Sequence, residues 1–425
     1  MSKKEKTALV PKLRFPEFNS IGEWKVSTLN SLADKITNKN KDCSITRILT
    51  NSAVDGVVDQ YDYFERKIVT QSNIDNYFVI DEGDYVYNPR ISTSAPVGPI
   101  SKNKIGKGVM SPLYTIFRFN SSQNEFYEQY FKTNLWNSYL KSVSNTGARY
   151  DRISISAENF MKMPLPYTSD KEQQKVADCL SSLDDLIAAE DKKLNALKDH
   201  KKGLMQKLFP AKGKTLPEWR FPEFKGCGEW EENTFKTYIK LYRGSSPRPI
   251  QNYLTKSDGV NWIKIGDTKY ADGYIIRSVK EQITREGSEK SRFVKSGELI
   301  LANSMSYGKT YELAISGCIY DGWFVLREYE KYFNKNFLLQ LLNSDNLQRQ
   351  YTSLSAGGVV QNISSDIVYA TILRRPELDE QQKIADFLSS IDDLIAAQTE
   401  KNEALKLHKI ALMQGLFPSV QEVSE

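Results

Sequence analysis

The sequence predicts an α+β protein in which two mixed α/β domains are joined by two long helices that form an antiparallel coiled coil, with a pseudo-two-fold internal repeat. Two observations predict this fold class: a helix-like segment occurs twice, and each copy follows a long stretch rich in strand-forming residues. The chain has 425 residues, which exceeds one ordinary domain at about 150 residues. It is 40% hydrophobic and 26% charged, so it has enough apolar residues for packed cores.

The repeated segment occupies residues 173–210 and 381–418 at a constant offset of 208, and 26 of its 38 positions are identical. A shorter block with the letters RFPEF, at residues 14–18 and 220–224, precedes each variable stretch and is completed by a Gly-Glu-Trp triplet. The chain therefore contains two copies of one plan, and the divergence between them is concentrated in the stretches between the two blocks.

These repeats define four regions. The predicted limits are residues 1–168 for the first variable domain with its N-terminal block, 169–213 for the first helix, 214–376 for the second variable domain, and 377–425 for the second helix and the C-terminal tail. Both variable domains contain short runs of β-branched and aromatic residues, and helical stretches follow at about residues 124–142 and 334–351. Each variable domain is therefore predicted to be mixed α and β.

Local signals predict the ends of the two long helices. Asp170 and Asp379 are each followed three residues later by glutamine, which is the spacing of a capping box, so we expect them to be N-caps. Pro210 and Pro418 bias the residue before them away from the helical conformation and predict the C-terminal ends.

Apolar residues recur along both helices at steps of three and four, which predicts a coiled-coil seam. The seam residues are Leu183, Ile187, Leu194, Leu197 and Leu204 in the first helix and Ile391, Ile395, Leu405 and Leu412 in the second. Polar residues interrupt the seam at Glu190, Lys201, Gln398, Asn402 and Lys409. We expect the two helices to pair with each other; the alternative is that each packs on its own domain as part of the core.

The composition excludes several classes of protein. The chain has no run of 18 apolar residues, no apolar segment behind its N-terminus, and four well-separated cysteines without a Cys-x-x-Cys pair. These features argue against a membrane span, a secretory signal, a zinc site and a disulfide framework. We therefore expect a cytoplasmic location and no membrane partner.

Positive charge is concentrated in the variable domains. Residues 12–168 carry 19 basic and 16 acidic side chains, a net charge of +3, and residues 214–376 carry 23 and 18, a net charge of +5. The region from residue 377 has a net charge of −6. Basic domains suit a polyanion, whereas the acidic second helix suits a protein partner better than DNA.

Polar loops in both variable domains carry the residue types that contact nucleic acid. Arginine, asparagine and glutamine read base edges, while serine, threonine and lysine hold phosphates. The candidate DNA-binding residues of the first domain are Asn88, Arg90, Ser92, Thr93, Lys102, Lys104, Lys107, Arg149, Tyr150 and Arg152. Those of the second domain are Arg243, Ser245, Ser246, Arg248, Ser304, Ser306, Tyr307, Lys309, Gln361 and Asn362. An ordinary solvated loop is the alternative for each residue alone; the recurrence in both copies favours the functional interpretation.

No catalytic residue, metal ligand or cofactor site is predicted in this chain. The sequence Gly308-Lys309-Thr310 lacks the upstream glycine of a phosphate loop, because that position is Asn303. The Asp-x-Lys spacing at Asp267 has no matching upstream acid, and two helix-borne histidines could scarcely supply a nucleophile–His–carboxylate set.

The whole chain resembles the DNA-specificity (S) subunit of type I restriction–modification enzymes. The Phe-Pro-Glu-Phe…Glu-Trp blocks together with the Glu-Gln-Gln-Lys…Leu-Phe-Pro helices carry this resemblance. It implies a non-catalytic subunit whose two target-recognition domains each read one half of a bipartite, asymmetric site in double-stranded DNA. It further implies two modification (methyltransferase) subunits as partners, with restriction/translocase subunits joining them, and S-adenosylmethionine, ATP and Mg²⁺ on those partners. The family's variable domains share no fixed contact motif, so the contact residues above come from local chemistry alone.

Two other functions are compatible with the sequence. One is a coiled-coil adaptor whose domains bind proteins, and strongly salt-dependent DNA binding would argue against it. The other is a stand-alone enzyme acting on nucleic acid, which would methylate or cut DNA without partners.

Overall fold

The structure, a computed structural model, describes residues 9–64, 74–146, 151–304, 308–355 and 363–420. The chain forms two compact units, one of residues 1–189 with 403–425 and the other of residues 190–402. Each long helix therefore contributes one part to each unit, whereas the sequence placed each helix in a region of its own. No helix in the described ranges is both long and apolar enough to cross a membrane.

The first variable domain contains the following elements. Its strands are β1 (Lys25–Thr28), β2 (Ala33–Ile36), β3 (Leu49–Ser52), β4 (Gly56–Asp59), β5 (Phe78–Ile80), β6 (Tyr85–Tyr87), β7 (Ile100–Lys102), β8 (Gly108–Met110), β9 (Thr115–Phe119), β10 (Asn145–Thr146), β11 (Ile153–Ser154) and β12 (Pro164–Tyr167). Its helices are α1 (Leu29–Leu32), α2 (Gln60–Phe64), α3 (Glu125–Phe131), α4 (Asn137–Val143) and α5 (Ala157–Met161), and the long helix α6 (Asp170–Leu208) follows.

The second variable domain repeats much of this order. Its strands are β13 (Glu231–Thr234), β14 (Lys240–Arg243), β15 (Leu254–Thr255), β16 (Val260–Ile263), β17 (Ile275–Ile276), β18 (Glu281–Ile283), β19 (Arg292–Val294), β20 (Leu299–Ala302), β21 (Thr310–Leu313), β22 (Gly317–Ile319), β23 (Trp323–Arg327) and β24 (Ile372–Arg375). Its helices are α7 (Phe235–Tyr238), α8 (Arg285–Glu289), α9 (Lys335–Leu342), α10 (Asp345–Ser355) and α11 (Ser365–Ala370), and the long helix α12 (Leu378–Leu416) follows.

A sheet with apolar residues on both faces organises each domain. In the first unit the antiparallel strand order is β2-β9-β6-β7, with Tyr85 in the core shared with the long helices and Val86 in a second cluster on the other face. In the second unit the order is β14-β23-β20-β21-β17, and Leu299 and Ile300 divide between two cores in the same way. The second unit has a further five-stranded sheet, β15-β18-β16-β22-β19. The alternation follows from the two-residue period of a strand.

The repeated RFPEF block binds the start of the long helix in each domain. Arg14 donates from its Nε and a terminal nitrogen to Glu172 at 2.7 and 2.9 Å, and the indole N–H of Trp24 donates to the same carboxylate at 3.0 Å. Arg220 makes the equivalent pair of bonds to Glu380 at 2.8 and 2.6 Å. Burying an ion pair is costly unless such hydrogen bonds satisfy it. The block and the helix are therefore coupled, which explains why they recur together in the sequence.

The glycine of the Gly-Glu-Trp triplet has a defined conformational role. Gly22 and Gly228 have positive φ angles of 76° and 73°, a region that favours glycine. In each case the carbonyl of this glycine accepts a hydrogen bond at 2.6 Å from the arginine of the RFPEF block.

The predicted seam residues lie on the sides of the long helices that are shielded from solvent. All nine predicted seam residues are buried or half-buried, whereas Leu186 and Leu394, which lie outside the seam, are exposed. The polar interruptions Lys201, Gln398 and Lys409 are buried. The two helices therefore pair along the predicted face in both units.

In the first unit a charged cluster fixes the antiparallel pairing of the helices. Lys409 of α12 donates to Asp184 of α6, and Gln129 of α3 donates to the same carboxylate at 3.0 Å. Burial disfavours the ionised form of Asp184, but hydrogen bonds from Lys409 and Gln129 and the charge of Lys132 outweigh it and lower its pKa to about 2. The cluster therefore joins both long helices to the variable domain.

The second unit repeats this arrangement with the helices exchanged. Lys201 of α6 donates to Asp392 of α12 at 2.6 and 2.7 Å, and Gln340 of α9 donates to Asp392 at 2.8 Å. Further along the pair, Gln398 donates to Glu190 at 2.6 Å, and these two residues occupy equivalent positions of the repeat. Polar contacts of this kind fix the register of paired helices.

The prediction of the N-caps is wrong. Ser169 caps α6, because its hydroxyl accepts the N–H of Glu172 at 3.3 Å, and Asp170 is the first helical residue. The helix α12 begins at Leu378, so Asp379 also lies inside the first turn. Aspartate suits both places, since negative charge in the first turn is favourable near the helix N-terminus. The helices end two residues before the prolines, as predicted.

Each shorter helical stretch that the sequence predicted as continuous is split in two. In the second unit α9 ends before Asn343, whose side chain donates to the carbonyl of Thr310 at 2.8 Å and accepts its N–H at 3.2 Å. The side chain is therefore bonded to β21, and the helix restarts at Asp345.

Candidate nucleic-acid interface

Two of the predicted loops meet in the first unit. The loop after β6 passes β11, where the N–H of Ile153 donates to the carbonyl of Pro89 at 3.0 Å. Arg90 and Arg152 are partners in an isolated antiparallel bridge. The sequence separates these arginines by more than 60 residues, and the fold places them side by side.

The two arginines share one carboxylate. The Nε of Arg90 lies 3.6 Å from Asp151, and the Nε of Arg152 lies 3.9 Å from it. The side chain of Arg90 is 56% exposed and that of Arg152 is 24% exposed. One carboxylate between two guanidinium groups leaves a net positive charge, and a guanidinium can bind a phosphate or the edge of guanine with two hydrogen bonds.

The hydroxyl groups of this loop are accessible, but Asn88 is not. Ser92 and Thr93 are exposed, and the Ser92 hydroxyl accepts the N–H of Ala95 at 3.1 Å. Asn88 is buried; it donates to the carbonyl of Asn51 at 2.8 Å and accepts the N–H of Arg90 at 3.0 Å. Its amide is thus committed to shaping the loop, and we remove Asn88 from the set of proposed DNA contacts.

The predicted lysines of the first domain lie elsewhere. Lys102 pairs with Tyr85 at one end of β6, whereas the Arg90 loop leaves the other end of that strand. The Lys102 ammonium donates to Glu125 at 2.8 Å, and its side chain is only 11% exposed. Lys104 and Lys107 are exposed and lie 2.7 Å from Glu128 and 3.6 Å from Asp81 respectively. These three lysines are therefore not part of the arginine cluster, and Lys102 is structural.

Two predicted segments meet in the second unit, and the residue that follows a third lies beside them. The side chain of Asn303 donates to the carbonyl of Asp321 at 2.9 Å, and the Nε of Arg243 donates to the same carbonyl at 3.3 Å. The N–H of Ile363, which follows the third segment, donates to the carbonyl of Asn303 at 2.8 Å. The turn at Asp321 therefore contacts Arg243 after β14 and Asn303 after β20, and Ile363 contacts Asn303.

Arg248 is the most accessible cation of this cluster. Its side chain is 82% exposed, and one terminal nitrogen lies 3.5 Å from the carboxylate of Asp321. Ser245 and Ser246 are half-buried in the same loop, with Ser245 accepting a hydrogen bond through its carbonyl from Ser291 at 2.5 Å. Ser304 is also half-buried, with its hydroxyl 3.4 Å from that of Tyr320.

Lys309 does not accompany this cluster. Its side chain lines a cavity between α6, α10 and α12, together with Asp345 and Arg349. Burial lowers the pKa of Lys309, and the nearby charge of Asp345 opposes this effect. We therefore assign Lys309 to the cavity rather than to the proposed DNA-reading surface.

Six predicted contact residues lie outside the described residues. They are Arg149, Tyr150, Ser306, Tyr307, Gln361 and Asn362.

The two domains use the same backbone connection between the loops that carry the candidate residues. The bond from Ile153 to Pro89 in the first unit and the bond from Ile363 to Asn303 in the second occur at equivalent places, between the end of the central strand and the segment before the last helix of the domain. The loops themselves differ in sequence. The same backbone hydrogen bond thus occurs in both domains, whereas the side chains of the connected loops differ between them.

Sequence reasoning missed the carboxylates of the two clusters and one loop. Asp151 and Asp321 hold the arginines, but neither stands out in the sequence. The loop after β2 is the counterpart of the Arg243–Arg248 loop after β14, and it exposes Lys39 and Lys41. Alignment of the segments that follow each RFPEF block would have found this loop.

Comparison with known proteins agrees with this architecture. The type I restriction modification DNA specificity domain matches residues 21–199 and again residues 229–407. The putative type I restriction enzyme MjaX specificity subunit of Methanocaldococcus jannaschii is 23% identical over 412 residues, which cover 93% of each protein.

Two solved structures share the fold. A chain from a study of complex assembly and conformational transition in a type I R-M system has a TM-score of 0.60 at 15% identity, covering 93% of this chain and 97% of that one. The type I restriction–modification S subunit from M. genitalium has a TM-score of 0.55 at 14% identity, covering 96% of this chain and 99% of that one. With two matched domains that span most of its length, the chain belongs to the type I restriction–modification DNA-specificity family.

Proposed function

We propose that the two arginine clusters are the base-reading surfaces of this chain, and that each variable domain reads one half of a bipartite, asymmetric site in double-stranded DNA. The observation that carries this proposal is the repeated connection between loops. In each unit one backbone hydrogen bond joins two loops and an exposed arginine lies beside a carboxylate. The surrounding loop sequences differ, so the two halves of the site differ as well.

Arginine side chains and hydroxyl groups have different proposed roles at this surface. Arg90 and Arg248 are proposed to read guanine in the major groove, where a bidentate contact discriminates against the wrong base by about 1–3 kcal/mol. Exposed hydroxyl groups such as those of Ser92 and Thr93 hold phosphates and position the domain.

The paired helices are proposed to set the unread gap between the half-sites. The seam from Leu183 to Leu208 has a rise of about 38 Å at 1.5 Å per residue, which is close to the length of about one turn of duplex DNA. The polar contacts along the pair fix the register of the two helices, and a fixed register gives the pair a constant length.

The exposed faces of the long helices are proposed to dock the two modification subunits. Leu186 and Leu394 occupy equivalent positions of the repeat and are 43% and 57% exposed. Single exposed leucines are ordinary on a protein surface. Their recurrence at the same helix position supports one docking face per partner, and restriction/translocase subunits are proposed to join that core.

The chemistry is proposed to reside on the partners. S-adenosylmethionine, ATP and Mg²⁺ would be bound by the modification and restriction subunits, while this chain selects the site and positions them, in the cytoplasm. The target adenine would be flipped out of the duplex by the modification subunit.

The test is methylation of a random DNA library by the modification subunits, with and without this chain. We expect a split motif with constant half-sites and a constant gap, which is lost when the chain is omitted. Methylation that does not depend on the chain would overturn the proposal. Methylation or cleavage by the chain alone would support a stand-alone enzyme, and DNA binding insensitive to salt would support the adaptor.

A further inference from the structure

We propose that a cavity in the second unit binds an acidic, partly apolar peptide segment of a protein partner. The cavity has a volume of about 1110 Å³ and lies between the C-terminal part of α6, the helix α10, the α12 residues Asp392 and Ile395, and the loop at Tyr274. It is separate from the arginine cluster at Asp321, because no residue of that cluster lines it.

The cavity carries an excess of positive charge. Six cations line it, namely Lys198, Lys201, Lys202, Lys212, Lys309 and Arg349, against the two carboxylates of Asp345 and Asp392. Asp392 is bonded to Lys201 at 2.6 Å, and Asp345 accepts a hydrogen bond from Gln206 at 2.9 Å. The excess of four positive charges is complementary to an acidic ligand.

Lys309 is the cation that most needs a partner. It is half-buried in the cavity, and within the described ranges no hydrogen bond or ion pair reaches its ammonium group. A charge that is withdrawn from water without a counter-charge is unfavourable, and a carboxylate in the cavity would offset that cost. Arg349, one of the lining cations, is exposed and supplies a second donor group for the same ligand.

The apolar residues in the lining of the cavity favour a peptide over DNA or a small anion as the ligand. Met205, Phe209, Leu354 and Ile395 form apolar parts of the lining, and the side chain of Leu354 is 47% exposed. A combination of apolar and charged lining residues is typical of a protein–protein interface. The charged DNA backbone would gain little from contact with apolar lining residues. The cavity is also larger than a typical small-molecule site, whose volume is roughly 300–1,000 Å³.

The partner used to test this inference rests on the proposed function. The probe is the modification subunit of the same system, since it is the protein that the chain is proposed to assemble with. Two variants change the cavity, Lys309→Glu with Arg349→Glu, and Leu354→Asp. The matched control is Lys236→Glu with Lys225→Glu, which makes the same charge change at exposed lysines of the same unit outside the cavity.

Assembly of the complex is measured by light scattering during size-exclusion chromatography over a dilution series. We expect each cavity variant to weaken assembly at least about tenfold and the control to change it less than about twofold, with unchanged thermal unfolding midpoints. Equal assembly of the cavity variants and the wild type would overturn the inference. Loss of DNA affinity with unchanged assembly would also overturn it and would assign the cavity to DNA.

A photo-crosslinking residue at position 354 identifies the occupant directly. In the assembled complex we expect it to crosslink to a segment of the modification subunit that contains several Asp or Glu residues. A crosslink to DNA, or to a segment without acidic residues, would contradict the inference. If the wild-type chain does not assemble with the modification subunit at all, the proposed function fails, and that result is distinct from the failure of the cavity variants alone.

Discussion

At the scale of single residues, the two arginines that we propose to read bases are held by weak ion pairs. The ion pairs of Arg90 and Arg248 are 3.6 and 3.5 Å long, and both side chains are mostly exposed. An exposed ion pair contributes about 0–1 kcal/mol, whereas a bidentate contact to guanine contributes about 1–3 kcal/mol of discrimination. The carboxylates can therefore orient the guanidinium groups in the free chain and release them to DNA at little cost.

Replacing Arg248 with alanine tests the assignment of one half-site. We expect Arg248→Ala to cost about 1–3 kcal/mol and to relax selectivity in only one half of the site, because the guanidinium that discriminates there is lost. Arg90→Ala should do the same for the other half. The measurement is competition binding with duplexes that vary one base pair at a time, with Lys236→Ala as the control. Unchanged selectivity in both variants would remove these arginines from the reading surface.

The buried pair of Arg14 and Glu172 gives a prediction of stability. The side chains are 8% and 1% exposed, so Glu172→Gln leaves a buried arginine without its counter-charge. We expect a loss of about 3–5 kcal/mol in the free energy of unfolding of the first unit, measured by urea denaturation. The control is Glu158→Gln, which breaks an exposed pair and should leave the free energy of unfolding almost unchanged. Similar losses of unfolding free energy in both variants would show that the Arg14–Glu172 pair does not stabilise the first unit.

At the scale of elements, the two long helices are joined by matched polar contacts rather than by the apolar seam alone. Asp184 bonds Lys409 in the first unit, and Asp392 bonds Lys201 in the second. In each unit a glutamine from the neighbouring variable domain donates to the same carboxylate. A slip of either helix by one turn would leave the buried ammonium groups of Lys201 and Lys409 unpaired, which is strongly unfavourable.

The acid sensitivity of the helix pair follows from Asp184. Its pKa is lowered to about 2 in the folded chain, below about 3.9 in the unfolded chain, so its stabilisation is present above pH 4 and is lost as the pH falls towards 2. Asp184→Asn should therefore be less stable than the wild type at pH 5, and the difference should shrink by pH 3. The measurement is the urea midpoint at both pH values, with Asp185→Asn, an exposed neighbour, as the control. A difference that is independent of pH would contradict this assignment.

The two long helices could be predicted from the regular spacing of their apolar residues. The breaks in the shorter helices and the N-caps could not. The apolar steps of three and four predicted both 39-residue helices and their paired face. The breaks before Asn137 and Asp345 were missed because they depend on tertiary contacts, such as the bonds between Asn343 and Thr310. The caps were missed because aspartate is favourable at two neighbouring positions of a helix start.

At the scale of the whole molecule, the length of the helix pair is proposed to determine the gap in the recognised site. Inserting four residues into each long helix, after Asp191 and after Gln398, adds about 6 Å to the pair. That length corresponds to about two base pairs at roughly 3.4 Å each. We expect the methylated motif to gain about two base pairs in its gap while both half-sites stay unchanged, as measured by methylation sequencing. Retention of the original gap would rule out the ruler.

The composition of the reading surface could be predicted only in part. Arginine-rich loops after strands predicted Arg90, Arg152, Arg243 and Arg248, and the fold groups them in two clusters. The burial of Asn88 could not be predicted, because its partner is the backbone of Asn51, which lies 37 residues away. Whether a basic loop residue joins an arginine cluster depends on which end of a strand its loop follows. The pairing register of the strands determines that position.

The division of each helix between two units has a consequence for synthesis of the chain. The first unit is completed by residues 403–425, and Phe417 packs edge-on against Phe126 and Tyr130 at 5.2 and 5.5 Å. The ribosome releases these residues after the whole first variable domain, although N-terminal domains usually fold first as they emerge. A chain that stops early therefore leaves the aromatic surface of its N-terminal half bare, and a chaperone or protease can recognise it before it reaches DNA.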